Sequence, residues 1–328
     1  MKALVKSALA LTALLTAFGQ PASAARVTWN MAGPLPESNF LTQNLRFFVK
    51  RVDELSKGEF KINLHVANAL VKDQETKQAV RAGQVPIAEM YIYVYGNENP
   101  VFDASTLPFI AGTGEKAFKL WTLTKPHVES LLARQHIKLL YTTPWPMQGF
   151  YTNKPITSMD DFKGLKSRVY STKTARLAQL MGAEPVQVVM SEIAQAFATG
   201  LVQTMYTSPQ AGVQSQAWDF AKYYTFTSGG HRPMNAVIVN QRFYDQLPEE
   251  FKTVLREAAL DAQTRGWLES ETSSTEHIKE LKAHGMIIQD PSPEFMAQLR
   301  KIGIQMLEEW AAQTGELGQT VLKEFGKK

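Results

Sequence analysis

From Arg26 to Ala32 the apolar side chains Val27, Trp29 and Met31 fall on alternate positions, the period of a strand with one face buried. After a Gly33-Pro34-Leu35-Pro36-Glu37 loop the period changes. Leu41, Leu45, Phe48, Val52 and Leu55 recur at three- and four-residue steps, which predicts a helix capped by Ser38 and ended by Gly58. Alternation returns at Phe60, Ile62, Leu64 and Val66, so the first forty residues of pattern read as a βαβ unit with parallel strands. A helix over Asp73 to Ala82 and a strand from Ile87 to Tyr91 continue it. A second series follows Pro144-Trp145-Pro146, with strands predicted at Gly149 to Asn153, Lys166 to Tyr170, Pro185 to Val189 and Leu201 to Tyr206, and helices starting near Ser171 and Ser191. Pro248 to His284 lacks an interior proline and keeps helical spacing through Phe251, Leu255, Ala258, Ala262, Leu268, Ile278 and Leu281, as one long helix or two. The C-terminal segment opens on Ser292 as cap and Pro293 in the first turn, and then buries Phe295, Leu299, Ile302, Met306 and Trp310 on one face. This order of elements predicts an α/β protein of two lobes that the chain crosses more than once.

The first 24 residues follow a different logic. Lys2 and Lys6 precede the apolar run Ala8 to Phe18, and Gly19, Pro21 and Ala22-Ser23-Ala24 follow it, the order of a secretory signal peptide cleaved after Ala24. No later stretch offers ~20 uninterrupted apolar residues, so an exported protein that is not itself membrane-embedded is expected. Its removal takes the 328 residues to 304 and, with two lysines lost, the formal charge from +4 to +2. Near neutrality is not the footprint of a nucleic-acid binder. Cysteine is absent, which excludes disulfides, thiolate chemistry, cysteine metal sites and a lipid anchor on cysteine.

In parallel α/β sheets, ligands sit outside the carboxyl ends of strands, where loops converge and helix N-termini direct N–H groups into the crevice. That rule selects Gly33 to Asn39, Trp145 to Gln148, Arg168 to Thr172, Val189 to Ser191 with Met190 at its centre, and Tyr206 to Pro209. Arg168 ends an apolar strand just before a helix cap, and its rigid fork of donors suits a carboxylate. A structural salt bridge to Asp160 or Asp161 is the alternative. Thr207 and Ser208 offer hydroxyls, and Asn39, Gln148 and Asn153 offer amides. Tyr91, Tyr93, Tyr95, Trp145, Tyr170 and Tyr206 fall near the same loops and suggest a ligand with an apolar body. Enzyme signatures are missing. His277, Glu280 and His284 do not make H-E-x-x-H, Gly112-Thr113-Gly114-Glu115-Lys116 lacks the G-K-[ST] ending of a phosphate loop, and no G-x-S-x-G occurs. Neither a metal nor a cofactor is expected.

Four segments together are more specific than their chemistry: Thr152-Asn153-Lys154-Pro155-Ile156, the run Asp160 to Val169, Gly182-Ala183-Glu184-Pro185-Val186, and Ser191-Glu192 continuing to Thr199-Gly200-Leu201-Val202. Through them the chain resembles, over nearly its full mature length, the periplasmic solute-binding proteins of tripartite ATP-independent (TRAP) transporters, of the dicarboxylate-binding-protein-like type. The resemblance implies a two-lobed fold of mixed, mainly parallel sheets that closes on a small organic acid, with a long helix spanning both lobes. On this basis lobe I is expected to comprise residues 25–146 and 234–273, and lobe II residues 147–233 and 274–328. It also implies small and large integral membrane subunits as partners, and Arg168 as the residue that pairs with the ligand carboxylate. Two positions depart from the pattern. Many relatives carry a second arginine where this chain has Gln148, and an acidic-Asn-Pro run where it has Thr207-Ser208-Pro209, so that contact is assigned jointly to Thr207 and Ser208. With Trp145 beside Gln148, the expected ligand is a monocarboxylate with an apolar or aromatic portion, such as a 2-oxo or hydroxy acid. The alternatives are the receptor of an ATP-driven importer and a periplasmic hydrolase or lyase.

Overall fold

The computed structural model describes residues 26–227 and 229–326; the proposed signal peptide and its cleavage site lie outside them. The chain enters through β1 (Val27–Ala32), α1 (Phe40–Leu55), β2 (Phe60–His65), α2 (Thr76–Ala82) and β3 (Ile87–Tyr91). Then come a 3₁₀ segment at Pro100–Thr106, α3 (Gly114–Ala133), β4 (Ile137–Pro144) and β5 (Gly149–Thr152). The middle of the chain supplies β6 (Lys166–Val169), α4 (Thr172–Leu180), β7 (Glu184–Gln187), α5 (Ile193–Ala198), β8 (Thr204–Thr207), α6 (Pro209–Gln214) and β9 (Tyr223–Phe226). It ends with β10 (Met234–Asn240), α7 (Gln241–Asp245), α8 (Glu249–Ala283), β11 (Ile287–Gln289) and α9 (Pro293–Phe325).

Two mixed sheets result, ordered β2-β1-β3-β10-β4 and β11-β9-β5-β8-β6-β7. The βαβ reading of the first segment holds, with β1 parallel to both β2 and β3. β10 returns from the far side of the second sheet and inserts antiparallel between β3 and β4. Every residue of β10 is buried because it has a strand on each side and helices on its faces, so its sequence is an unbroken MNAVIVN rather than an alternation. β4, β9, β10 and β11 lie outside the predicted elements. Two predicted starts also move. Asn39, not Ser38, caps α1, its Oδ1 accepting from the Leu41 amide at 2.9 Å. The strand predicted from Leu201 begins at Thr204, and a 3₁₀ turn at Met190–Glu192 precedes α5.

The stretch predicted from Pro248 to His284 is one helix, α8 (Glu249–Ala283), of 35 residues, with Pro248 and His284 as its caps. Its Phe251, Leu255, Ala258, Ala259 and Ala262 pack into the core beneath the first sheet, and Leu281 joins the core of the second. Between them the backbone comes close to β4: a Cβ on Gly266 would stand 2.7 Å from Asn44 and Thr143, so only glycine fits. α9 braces both halves. It packs on α3, on α4 and on the 3₁₀ segment at Pro100–Thr106, and a bidentate pair joins Arg176 of α4 to Glu309.

The chain crosses between the sheets at Trp145–Gln148, and again between β9 and β10. The two crossings lie side by side: the Trp145 amide donates to Pro233 O at 2.7 Å and the Thr227 hydroxyl to Gln148 O at 2.8 Å. Gly229 in the second crossing abuts Gly112, whose Cβ would lie 2.4 Å from the Gly229 Cα.

Candidate functional site

A cavity of about 270 Å³ opens where the two sheets face each other. From the first-sheet side come Asp73, Gln74, Tyr91, Tyr93 and Val94. The crossings contribute Trp145, Gln148 and Pro233, and the second-sheet side Arg168, Tyr170, the stretch Gln187–Met190, Thr207 and Ala211.

Arg168 organises this space. β6 is a short inner strand between β7 and β8, and its pairing places the Arg168 side chain inside, 4 % exposed. The guanidinium Nε donates to Val188 O at 2.9 Å, and the Tyr170 ring lies under the group at 4.8 Å from its centroid. The alternative salt bridge is not formed: Asp160 pairs with Lys163, and Asp161 accepts from the Thr157 and Ser158 amides. Among the described residues no carboxylate lies within ion-pairing distance of Arg168, and Nε is its one hydrogen-bonding atom. Burial pushes its pKa down, against the opposing pull of Tyr170, Tyr93 and Tyr91. An arginine starts so high that it stays charged. A buried cation without a protein anion is costly unless an anion joins it, and both terminal nitrogens are available to do so.

The walls are largely aromatic. Trp145 is buried with Leu35, Phe40, Leu41 and Tyr93, and Tyr91, Tyr170 and Met190 pack against that cluster. Tyr93 from the first-sheet side meets Tyr170 from the second, ring centroids 5.4 Å apart. Burial pushes the hydroxyls of Tyr91, Tyr93 and Tyr170 well up, so all three remain protonated. Gln148, 2 % exposed, donates through Nε2 to Pro146 O at 2.9 Å and accepts at Oε1 from the Tyr170 hydroxyl at 3.3 Å. Asp73 is the one acidic residue of the lining.

Of the residues selected from sequence, Arg168, Gln148, Trp145, Tyr91, Tyr170, Met190 and Thr207 therefore converge on one cavity. Three others stand outside its lining. Asn39 caps α1 and donates through Nδ2 to Gln214 Oε1 at 2.9 Å. Ser208 caps α6, its hydroxyl accepting from the Ala211 amide, and Asn153 donates to Phe220 O from an exposed position. Asp73 and Gln74 were missed, although the strand-end rule applied to β2 leads to them. Pro233 was missed because it sits in a crossing that precedes a strand.

Behind Trp145, its indole N–H donates to Asn235 Oδ1 at 2.9 Å, and Asn235 neighbours the buried Glu89. Burial pushes the Glu89 carboxyl up to about 8, Asn235 pulling weakly the other way. Because the folded pKa exceeds the ordinary 4.5, the folded state holds this proton longer than the unfolded state, and stability falls as pH rises from about 4.5 through 8. Glu89→Gln removes that penalty. Each tenfold difference in proton affinity between the two states is worth ~1.4 kcal/mol, so the variant gains a few kcal/mol over wild type above pH 8 and nothing near pH 4. Thermal melts at the two pH values check this; parallel wild-type and variant profiles would contradict it.

The sequence profile of "Bacterial extracellular solute-binding protein, family 7" matches residues 31–314. The chain belongs to this family. Its fold agrees with DctP7 of Bordetella pertussis, an extracytoplasmic solute receptor binding pyroglutamic acid, at 37% identity and a TM-score of 0.87 over 92% of this chain and 99% of that one. A marine metagenome TRAP solute-binding protein specific for pyroglutamate gives 33% identity and the same TM-score, over 92% and 99% of the two chains. The C4-dicarboxylate-binding periplasmic protein DctP of Rhodobacter capsulatus is 26% identical over 260 residues, 76% of each chain. The protein is thus a TRAP-type solute-binding protein, a binding protein rather than an enzyme. Among its own described residues no helix is long and apolar enough to cross a membrane.

Proposed function

We propose that this receptor captures pyroglutamate, or a cyclic monocarboxylate closely similar to it, and delivers it to the small and large membrane subunits of its transporter. The observation that carries the proposal is the buried Arg168 guanidinium, which among the described residues has no carboxylate within ion-pairing distance and faces a largely aromatic lining whose other charged residue is Asp73. One fixed positive charge suits one carboxylate. A second carboxylate would meet the uncharged Gln148 and the Asp73 carboxylate, so the lining selects against diacids by charge. The tyrosines and Trp145 cover the faces of a small ring, and Thr207 supplies a hydroxyl to a polar edge. The two relatives at 37% and 33% identity bind pyroglutamate, a monocarboxylate of this kind.

Capture works through closure of the two lobes about the adjacent crossings at Trp145–Gln148 and Gly229–Pro233. The ligand carboxylate docks on Arg168, Tyr93 and Tyr170 meet across the cleft, and affinity for the closed form shifts the population toward it. Isothermal titration with pyroglutamate, succinate, malate and pyruvate tests the specificity. Pyroglutamate is expected to bind at one site per chain, at least about tenfold more tightly than either diacid, since an uncompensated second charge costs more than ~1.4 kcal/mol on burial. A diacid binding most tightly overturns the proposal.

A further inference from the structure

We propose that His231 is a positioning residue that fixes Gln148 as a hydrogen-bond donor toward the ligand, so that the ligand atom at Gln148 is an acceptor, a carbonyl oxygen. This deepens the pyroglutamate reading and rests on it for the ligand.

Four groups form a chain in which each role forces the next. Pro146 O is a carbonyl and only accepts, so the Gln148 amide must turn its nitrogen to it, as the 2.9 Å contact shows. Gln148 Oε1 then faces the Tyr170 hydroxyl at 3.3 Å, and an amide oxygen only accepts, so Tyr170 must donate its single proton there. The Tyr170 oxygen stands 2.8 Å from His231 Nε2 with its proton already committed, so Nε2 carries a hydrogen and donates it. In a neutral imidazole that leaves Nδ1 as a bare lone pair. His231 Nδ1 is buried without a partner among the described residues, which costs less for a bare acceptor than for an N–H. The ring is held neutral as well, since burial pushes His231 down to about 3.

His231 has a firm base. It follows Gly229 and Gly230 in the second crossing, its ring meets the Tyr206 ring in a T-shaped pair with centroids 5.2 Å apart, and the next residue, Arg232, is anchored to Glu271 and Ser270 of α8. The relay therefore runs from one crossing, through Tyr170 of the second-sheet side, to the other crossing. Its output is polarity. One Gln148 N–H is taken by Pro146 O, and the second has no partner among the described residues and belongs to a side chain that lines the cavity. The cavity thus presents an N–H there beside the Arg168 fork, and a ligand with a ring carbonyl is favoured over the same carboxylate on a plain hydrocarbon ring.

Two measurements test this. In protein carrying ¹⁵N-histidine, the His231 ring resonances are expected to show the neutral Nε2–H tautomer at pH 7, unchanged down to pH 5; an Nδ1–H tautomer or an imidazolium overturns the relay. This readout needs no ligand, so it decides the relay even if pyroglutamate does not bind or a variant fails to fold. In titrations, wild type is expected to prefer pyroglutamate to cyclopentanecarboxylate, and His231→Phe to reduce that preference at least about fivefold, because the Tyr170 hydroxyl loses the contact that holds it on Gln148 Oε1 and the amide is left with the Pro146 O contact as its one tie among the described residues. A His231→Phe protein that retains the wild-type preference overturns the specificity role.

Discussion

Arg168→Ala is expected to raise the dissociation constant for pyroglutamate at least about thirtyfold, the equivalent of ~2 kcal/mol, because it leaves the ligand carboxylate buried without a charged partner. The melting temperature of the ligand-free variant should stay close to that of wild type. Arg168 makes one hydrogen bond to the protein, from Nε to Val188 O, and is part of no ion pair among the described residues. The stabilisation that wild type gains from added pyroglutamate should vanish in parallel. Arg168→Lys should recover little, since an ammonium offers neither the bidentate fork nor the Nε contact that aims it, and it is harder to desolvate. Titration calorimetry on both variants measures this. An affinity for Arg168→Ala within threefold of wild type would remove Arg168 from the site.

Trp310→Ala is expected to lower the stability of the fold by about 3–5 kcal/mol through the cavity it leaves. Trp310 is completely buried where α9 lies against the 3₁₀ segment at Pro100–Thr106, and its indole N–H donates to Pro100 O at 2.6 Å. The damage reaches the lobes because that segment carries Asp103, which accepts from Thr172 at the start of α4 at 2.6 Å. Trp310→Phe, which keeps a ring but removes the indole donor to Pro100 O, should lose less than the alanine variant. Denaturant unfolding provides the comparison, and a loss under about 1 kcal/mol for Trp310→Ala would show that α9 does not brace the two halves.

What the amino-acid sequence disclosed follows the range of the forces involved. β1, α1 and β2 were readable because each buries one face and writes its period into neighbouring residues, and α8 because no breaker interrupts its spacing. The same local reading could not see β10. A strand with partners on both sides is a short apolar run without alternation, and its place between β3 and β4 depends on pairing with residues 90 to 152 positions earlier, which leaves no local period. At the start of α1, Ser38 and Asn39 are both good caps, and the tertiary bond from Asn39 to Gln214 accompanies the choice that the fold makes.

The site divides in the same way. The place of Arg168 in the cavity lining was legible because a strand end and a helix cap fix its position within four residues, and the family resemblance supplied the role proposed for it. Gln148 was legible as a departure from relatives. His231 and Pro233 were not, because they act from the second crossing, which becomes part of the site only when it lies beside the first. Asn39, Ser208 and Asn153 show the converse: side chains near the selected loops whose polar groups the fold uses for caps and loop ties.

A crystal structure of the pyroglutamate complex tests the central claim, capture of one carboxylate by Arg168, most directly. The ligand carboxylate is expected on both terminal nitrogens of Arg168, with Nε still donating to Val188 O. A carboxylate bound elsewhere in the cavity, with the Arg168 guanidinium unengaged, would contradict it.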